Sequence, residues 1–341
     1  MASLVVQTGF LGDVVLTTPL IAELGRRGPL DVLTTPEGAM ILRNNPGIRS
    51  VIVYDRRVSD RGLAGLIRTA RTIRRNGYDA AYMAQGSMRS AILVAAGGVS
   101  RRVGFNTSEG RRMYTEEVEY RADRHHAERV WWLSMSSCAD PPNDAQLKPR
   151  LYPSPADYQA SEALLREGIA DAFRPFVALA PGSAWGTKRW PYFPELAVKV
   201  AERCNIVVVG GPSETAGGDT ILAQLPDGCA VNAAGKLGIL ASAAIIGRAA
   251  ALVCNDSAPQ HLASAMDTPT ISIFGPTVPD FGFGPLARDS SVVGHDALAC
   301  RPCDHHGPKR CPLGHWRCMR EVSSNEVLDM VSRTLSYRAS G

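Results

Sequence analysis

A chain of 341 residues, 45% hydrophobic and 21% charged, is long enough for two domains with separate cores. No apolar run approaches the ~20 residues needed to cross a bilayer, and residues 1–9 read as a first strand rather than a cleavable leader, so a cytoplasmic protein is expected. A net charge of +4 is too mild to imply a nucleic-acid partner.

The pattern predicts a strand over 4–7, the loop TGFLGD over 8–13, and an apolar helix interrupted by Pro19. Strands over 31–35 and 50–54 enclose a helix at 37–45, and an arginine-laden helix from about 60 to 75 ends at Asn76-Gly77. A strand at 78–84, a helix at 87–96, a strand at 102–105 and a helix at 124–137 follow. Residues 140–155, rich in proline and polar residues, read as a linker. Beyond it the alternation restarts: a helix at 156–167, then strands at 176–179 and 206–209, each followed by a helix, at 194–203 and 213–225. A helix at 239–247 leads into VCNDSAPQHLASAMDTPTISIFGPT, which reads strand, turn, helix, turn, strand. Such alternation means an α/β fold with doubly wound parallel sheets. Two Rossmann-like domains facing a cleft are expected, over 1–150 and 151–325, with a last helix at 326–341 packing back on the first.

Polar clusters after strands are where such sheets bind ligands. In the first loop, Gly9 and Gly12 permit tight turning, and Asp13 starts a helix. It is either a capping acid or a carboxylate able to take a proton from a substrate hydroxyl. The spacing is not G-x-G-x-x-G, so a dinucleotide site fits poorly. In APGSAWGTKRWP, Ser183, Thr187 and Lys188 suit a phosphate, against the alternative of a solvated basic loop. Glu214, after Gly210-Gly211, is either a ligand for a ribose hydroxyl pair or a first-turn acid. Asn255, Asp256 and Ser257 open a helix whose N-terminus favours an anion.

Taken together, TGFLGDVVLTTP, APGSAWGTKRWP, VVVGGPSE, NDSAPQHLASAMDTPTISIFGPT and a terminal cysteine block resemble the lipopolysaccharide heptosyltransferases of glycosyltransferase family nine, along nearly the whole chain. The resemblance implies the two-domain GT-B fold and inverting transfer of L-glycero-D-manno-heptose from its ADP derivative to the lipopolysaccharide inner core. It implies Asp13 as general base and Lys188 on the donor diphosphate. Gly12, Ser183, Thr187, Glu214, Leu237 (against adenine), Asp256, Ser257, Ala258 and His261 are implied around the donor. Ala258 stands where the family usually has glycine, which requires a negative φ there.

The acceptor is expected in the first domain, where residues 56–75 hold seven arginines and one acid. Arg56, Arg57, Arg111, Arg112 and His125 (matching the family's H-x-x-x-R with Arg129) are its candidate ligands. A solvated basic face is the plain alternative, and an anionic inner leaflet is a further expected contact.

Four of the eight cysteines are scattered; Cys300, Cys303, Cys311 and Cys318 form C-x2-C-x7-C-x6-C. Four thiolates in a short loop-rich segment suit a structural zinc or iron, with free thiols or a disulfide as alternatives. Similar enzymes that heptosylate autotransporter proteins carry iron on four cysteines, so a protein hydroxyl is the alternative acceptor. No catalytic metal is expected. A uridine-sugar enzyme and a non-catalytic sugar-nucleotide-binding scaffold are the remaining readings.

Overall fold

Strands covered on both faces need short continuous apolar runs. Ser3–Gln7 (β1), Leu30–Thr34 (β2), Ser50–Val53 (β3), Ala80–Met83 (β4), Arg101–Phe105 (β5) and Glu116–Val118 (β6) form the first sheet of the computed structural model, which describes residues 1–135 and 142–339. Its order is β3-β2-β1-β4-β5-β6, all parallel. Val5 sits opposite Val32 on one side and Tyr82 on the other. Leu4, Val6, Leu33, Ile73, Met83 and Leu93 are among the buried residues of the core; each such aliphatic side chain contributes roughly 1.5–3 kcal/mol on burial.

Phe176–Ala180 (β7), Asn205–Val208 (β8), Ala230–Asn232 (β9), Ala251–Asn255 (β10), Thr270–Phe274 (β11) and Ser291–Gly294 (β12) form a second parallel sheet, ordered β12-β11-β10-β7-β8-β9. In each sheet the unit's first strand lies between its second and fourth. That is where the winding reverses and a crevice opens at the carboxyl ends. The loops after β1, β7 and β10, which carry Asp13, Lys188 and Asp256, all leave the sheets at these points.

The chain divides into Met1–Tyr152 and Pro153–Gly341. The expected linker is largely ordered structure of the first unit. Asn143 and Gln146 cap a short helix, Asp144–Leu147, reciprocally. Further on, Arg150 N donates to Thr18 Oγ1 at 3.0 Å and Asn44 Nδ2 to the Tyr152 carbonyl at 3.0 Å. The expected helix at 124–137 is His126–Trp131 followed by a 3-10 turn, Trp132–Ser134; Cys138 lies outside the described residues. The apolar helix after β1 is broken into Leu11–Leu16 and Thr18–Arg27. Pro19 has no N–H for the Val15 carbonyl, and the Thr18 hydroxyl donates to it at 2.7 Å. The last helix, Ser324–Ala339, expected on the first unit, is built into the second. It packs on helix Phe193–Ala201 and on β10 and β11, with Val327 and Val331 buried in that unit's core.

Candidate active site

In the first unit Asp13 is the third residue of helix Leu11–Leu16, and its Oδ2 accepts the Phe10 N–H at 3.3 Å. It therefore caps the helix. Its side chain is still 26% exposed, so a substrate hydroxyl can reach it. Burial pushes the carboxyl up to about 6, while the Phe10 N–H pulls the other way. The loop before it is braced: Gly9 N donates to Gln7 Oε1 at 2.9 Å, and Gln7 Nε2 donates to Thr17 Oγ1 at 3.1 Å. A Cβ on Gly9 would lie 2.9 Å from both Asp13 Oδ2 and Gln7 Oε1. Gly9→Ala is therefore expected to displace the carboxylate. Initial rates should fall about 10–10²-fold, the usual cost of misplacing a reacting group, while ADP affinity measured by calorimetry stays unchanged.

The two adjacent histidines divide the work. His125, the acceptor candidate, caps helix His126–Trp131, its Nδ1 accepting the Ala127 N–H at 3.2 Å. His126, which sequence reasoning passed over, places Nε2 3.9 Å from Asp13 Oδ1. Arg129 is buried and structural, donating to the carbonyls of Arg121 at 2.8 Å and Ala122 at 2.5 Å. Arg56, Arg57, Arg111 and Arg112 are exposed, and Arg111 donates to the Asn106 carbonyl at 3.0 Å. Gly12 is buried in the first turn beside Asp13.

In the second unit Lys188 ends a 3-10 turn, Gly186–Lys188, after β7, and its ammonium is buried against Asp256, Nζ to Oδ2 2.6 Å. The same oxygen accepts from Thr277 Oγ1 at 2.6 Å, and Oδ1 accepts from Gln260 Nε2 at 3.2 Å. An ammonium has three N–H donors, so Lys188 keeps hydrogen-bonding capacity beyond this pair. Asn255, at the end of β10, ties the two loops together. Its Nδ2 donates to the Pro181 carbonyl at 2.9 Å, and its Oδ1 accepts Trp190 N at 3.1 Å. Thr277 and Gln260 were not singled out from the sequence as site residues, though Gln260 carried a local signal, lying one helical turn after Asp256; Asn255 was read as a helix-start residue and instead ends β10.

Ser257 is the N-cap of helix Ala258–Met266, with its hydroxyl on the Asn255 carbonyl at 3.2 Å. Ala258 opens that helix and is not among the residues with positive φ, so its methyl group is accommodated. His261 is buried and meets the Phe283 ring edge-on at 6.4 Å. Ser183 Oγ accepts Trp185 N at 3.3 Å. Glu214 accepts Gly211 N at 2.9 Å and Ser213 Oγ at 2.7 Å, as a first-turn acid does. Gly182 and Gly210 leave room for its side chain, because a Cβ on either would come within 2.5 or 2.8 Å of it. Leu237 is half-buried just before helix Ile239–Arg248.

The cysteine segment lies over the loop that carries Lys188. His306 stacks on Trp185 with centroids 6.1 Å apart, and Thr187 Oγ1 donates to the Pro308 carbonyl. Arg301 reaches the carbonyls of Phe274 and Thr277 at 3.0 Å each. Cys300, Cys303, Cys311 and Cys318 are free thiols. Burial, with the nearby Cys303 charge, pushes Cys318 up to about 11. Burial also raises Cys311, but four backbone N–H groups, those of Trp316, Leu313, His315 and Gly314, outweigh it and leave that thiol below its ordinary value. Among the described residues, no three His, Cys, Asp or Glu side chains are arranged to hold a metal ion, so the four thiols as placed are not a coordination shell.

A cavity of about 680 Å³ in the second unit opens at the amino-terminal end of its strands, lined by Phe173, Phe176, Arg203, Asn205 and Ala250 around the starts of β7, β8 and β10. It touches none of the residues above.

A sequence profile of glycosyltransferase family 9 (heptosyltransferase) matches residues 66–316. The chain is 29% identical over 323 residues to lipopolysaccharide heptosyltransferase 1 of Pseudomonas aeruginosa, covering 89% of this chain and 86% of that protein. It is 24% identical to lipopolysaccharide heptosyltransferase 2 of Salmonella typhimurium, with 86% and 88% covered. The fold matches the structure of the E. coli ADP-heptose LPS heptosyltransferase II with a TM-score of 0.82 at 22% identity, covering 99% of this chain and 100% of that one. The α/β architecture of two Rossmann-like units is that of GT-B enzymes. With a profile that runs through both units and the polar loops where such sheets bind ligands, the chain belongs to glycosyltransferase family 9, the heptosyltransferase family.

Proposed function

We propose that this glycosyltransferase moves heptose from ADP-L-glycero-D-manno-heptose, with inversion, to a sugar of the lipopolysaccharide inner core. The observation that carries this reading is Asp13: a reachable carboxylate with its pKa raised to about 6, beside a glycine that leaves it room. As the acceptor oxygen attacks the anomeric carbon, Asp13 takes its proton and the bond to the ADP oxygen breaks on the opposite face. The charge that develops on ADP falls to Lys188 and to the N-terminus of helix Ala258–Met266. Ser183, Thr187 and Ser257 supply hydroxyls to the diphosphate, with Asp256, Ala258 and His261 around it. Glu214 and Leu237 take ribose and adenine, and Gly12 leaves the backbone close. Arg56, Arg57, Arg111, Arg112 and His125 meet an anionic, lipid-linked acceptor. The names of the full-length relatives support the heptose donor and the lipopolysaccharide acceptor.

Calorimetry with ADP and with UDP, followed by ADP-heptose and a deacylated core acceptor, tests this. ADP preference with transfer, and an anomeric configuration opposite to the donor's by NMR, supports the reading. UDP preference removes it, and transfer only to a protein hydroxyl moves it to the autotransporter type.

For the cysteine segment we propose a structural role, holding the loop of Thr187 and Lys188. The C-x2-C-x7-C-x6-C spacing and the N–H groups around Cys311 support a metal there. Elemental analysis is expected to find one zinc or iron per chain; metal-free protein with a full thermal midpoint and full turnover ends that assignment.

A further inference from the structure

Phe10, in the loop after β1, is 63% exposed, whereas Leu11 beside it is half-buried. A phenyl ring left in water adds nothing to folding by burial. Its place is nevertheless fixed, because both backbone groups of the residue are engaged in the first turn of helix Leu11–Leu16. The Phe10 N–H donates to Asp13 Oδ2 at 3.3 Å, and its carbonyl accepts the Val14 N–H at 3.1 Å. Residue 10 and the carboxylate of residue 13 therefore belong to one braced turn.

The loop after β4, the neighbour of β1 in the sheet, is tied to the same place. Thr8 Oγ1 donates to Gln85 Oε1 at 2.9 Å, and Ser90 Oγ donates to that oxygen at 3.4 Å. These bonds orient the amide and leave its other end open. Among the described residues Gln85 Nε2, which carries two N–H donors, meets no acceptor, and the side chain is only half-buried. Three residues on, Met88 is 40% exposed where it opens helix Met88–Ala96.

The carboxyl ends of β1 and β4 thus hold a carboxylate, an open aromatic ring and an oriented amide donor within two joined loops. A pyranose has the matching surfaces: hydroxyls around its edge and a C–H face able to lie on an aromatic ring. A serine or threonine on a peptide offers the hydroxyl without that face. We propose that Phe10 is the platform for the acceptor sugar ring and that Gln85 Nε2 donates to one of its hydroxyls, presenting another to Asp13. This rests on the heptosyltransferase reading and sharpens it, since it makes the acceptor a pyranose rather than a protein side chain.

The full-length enzyme is assayed with ADP-heptose and a deacylated core acceptor. Phe10→Ala is expected to raise the acceptor KM about tenfold, as for loss of one stacked aromatic contact and its buried area. The KM for ADP-heptose and the pH dependence set by Asp13 should not move, because any side chain at residue 10 keeps the backbone N–H on that carboxylate. Phe10→Trp should hold the wild-type acceptor KM, Phe10→Leu should not, and Gln85→Met should raise it with the thermal midpoint kept. Phe10→Ala with a wild-type acceptor KM overturns the proposal. So does a variant that raises the KM for donor and acceptor alike, or one that shifts the pH profile. Binding of the core fragment without donor, followed by saturation-transfer NMR, separates this from the reaction. A protein that binds the fragment through Phe10 and Gln85 but transfers no heptose keeps the platform and loses the heptosyltransferase reading. A transferase indifferent to Phe10 does the reverse, and transfer to a protein hydroxyl with no binding of the fragment ends both.

Discussion

Asp13→Asn is expected to lower kcat by about 10²–10⁴-fold, the range for loss of a general base, while ADP binds as it does to the wild type. The amide is nearly the same shape, and its oxygen can still accept the Phe10 N–H, so the cap of helix Leu11–Leu16 survives and the thermal midpoint should hold. What the amide lacks is a lone pair basic enough to take the acceptor proton. The pH profile supplies a second reading of the same residue. A base works deprotonated, and burial raises this carboxyl to about 6, so kcat/KM of the wild type should be level above that value and fall about tenfold per pH unit below it. An unshifted carboxylate would place the fall two units lower, near the ordinary value of 3.8. The residual rate of Asp13→Asn should lack the limb at pH 6. A wild-type rate that stays level well below pH 6, or an Asp13→Asn enzyme with ordinary turnover, removes the assignment.

The loops that bear the site were legible because each follows a short strand with an apolar run at its centre and precedes a helix start. β6, β9 and β12 were not. Glu116–Val118 and Ala230–Asn232 have three residues each, and all three strands sit at a sheet edge, where hydrogen bonds to one neighbour define the strand and hydrophobic pattern does not. Motif spacing drew attention to His125, yet His126 approaches Asp13; successive residues entering a helix point about 100° apart, and no pattern says where the helix begins to that accuracy. Lys188 and Asp256 each looked like an anion ligand. Their pairing across 68 residues, and the hydroxyl of Thr277 from a third loop, exist only once β7, β10 and β11 lie side by side. The cysteine spacing was readable, but that its segment covers the Lys188 loop was not, since the contact joins Trp185 to His306.

That pairing gives Lys188→Ala two separable effects. Turnover is expected to fall about 10²–10³-fold, as when a donor to a developing anion is removed. Stability is expected to fall by about 3–5 kcal/mol, because a buried Asp256 loses its cation, with Thr277 and Gln260 still donating to it and setting the loss toward the lower end. Both residues are less than 9% exposed, so solvent cannot replace the ammonium. Lost turnover in a protein this destabilised is ambiguous taken alone. Lys188→Ala combined with Asp256→Asn resolves it, since a neutral amide in that place needs no cation and can still accept from the Thr277 hydroxyl. The pair is expected to be more stable in urea than Lys188→Ala, the mark of two coupled residues, and to stay as slow as the single variant. A double variant that regains both stability and turnover would mean that Lys188 does no more than neutralise Asp256. The charge on the departing ADP would then have to fall on the helix N-terminus at Ala258 alone.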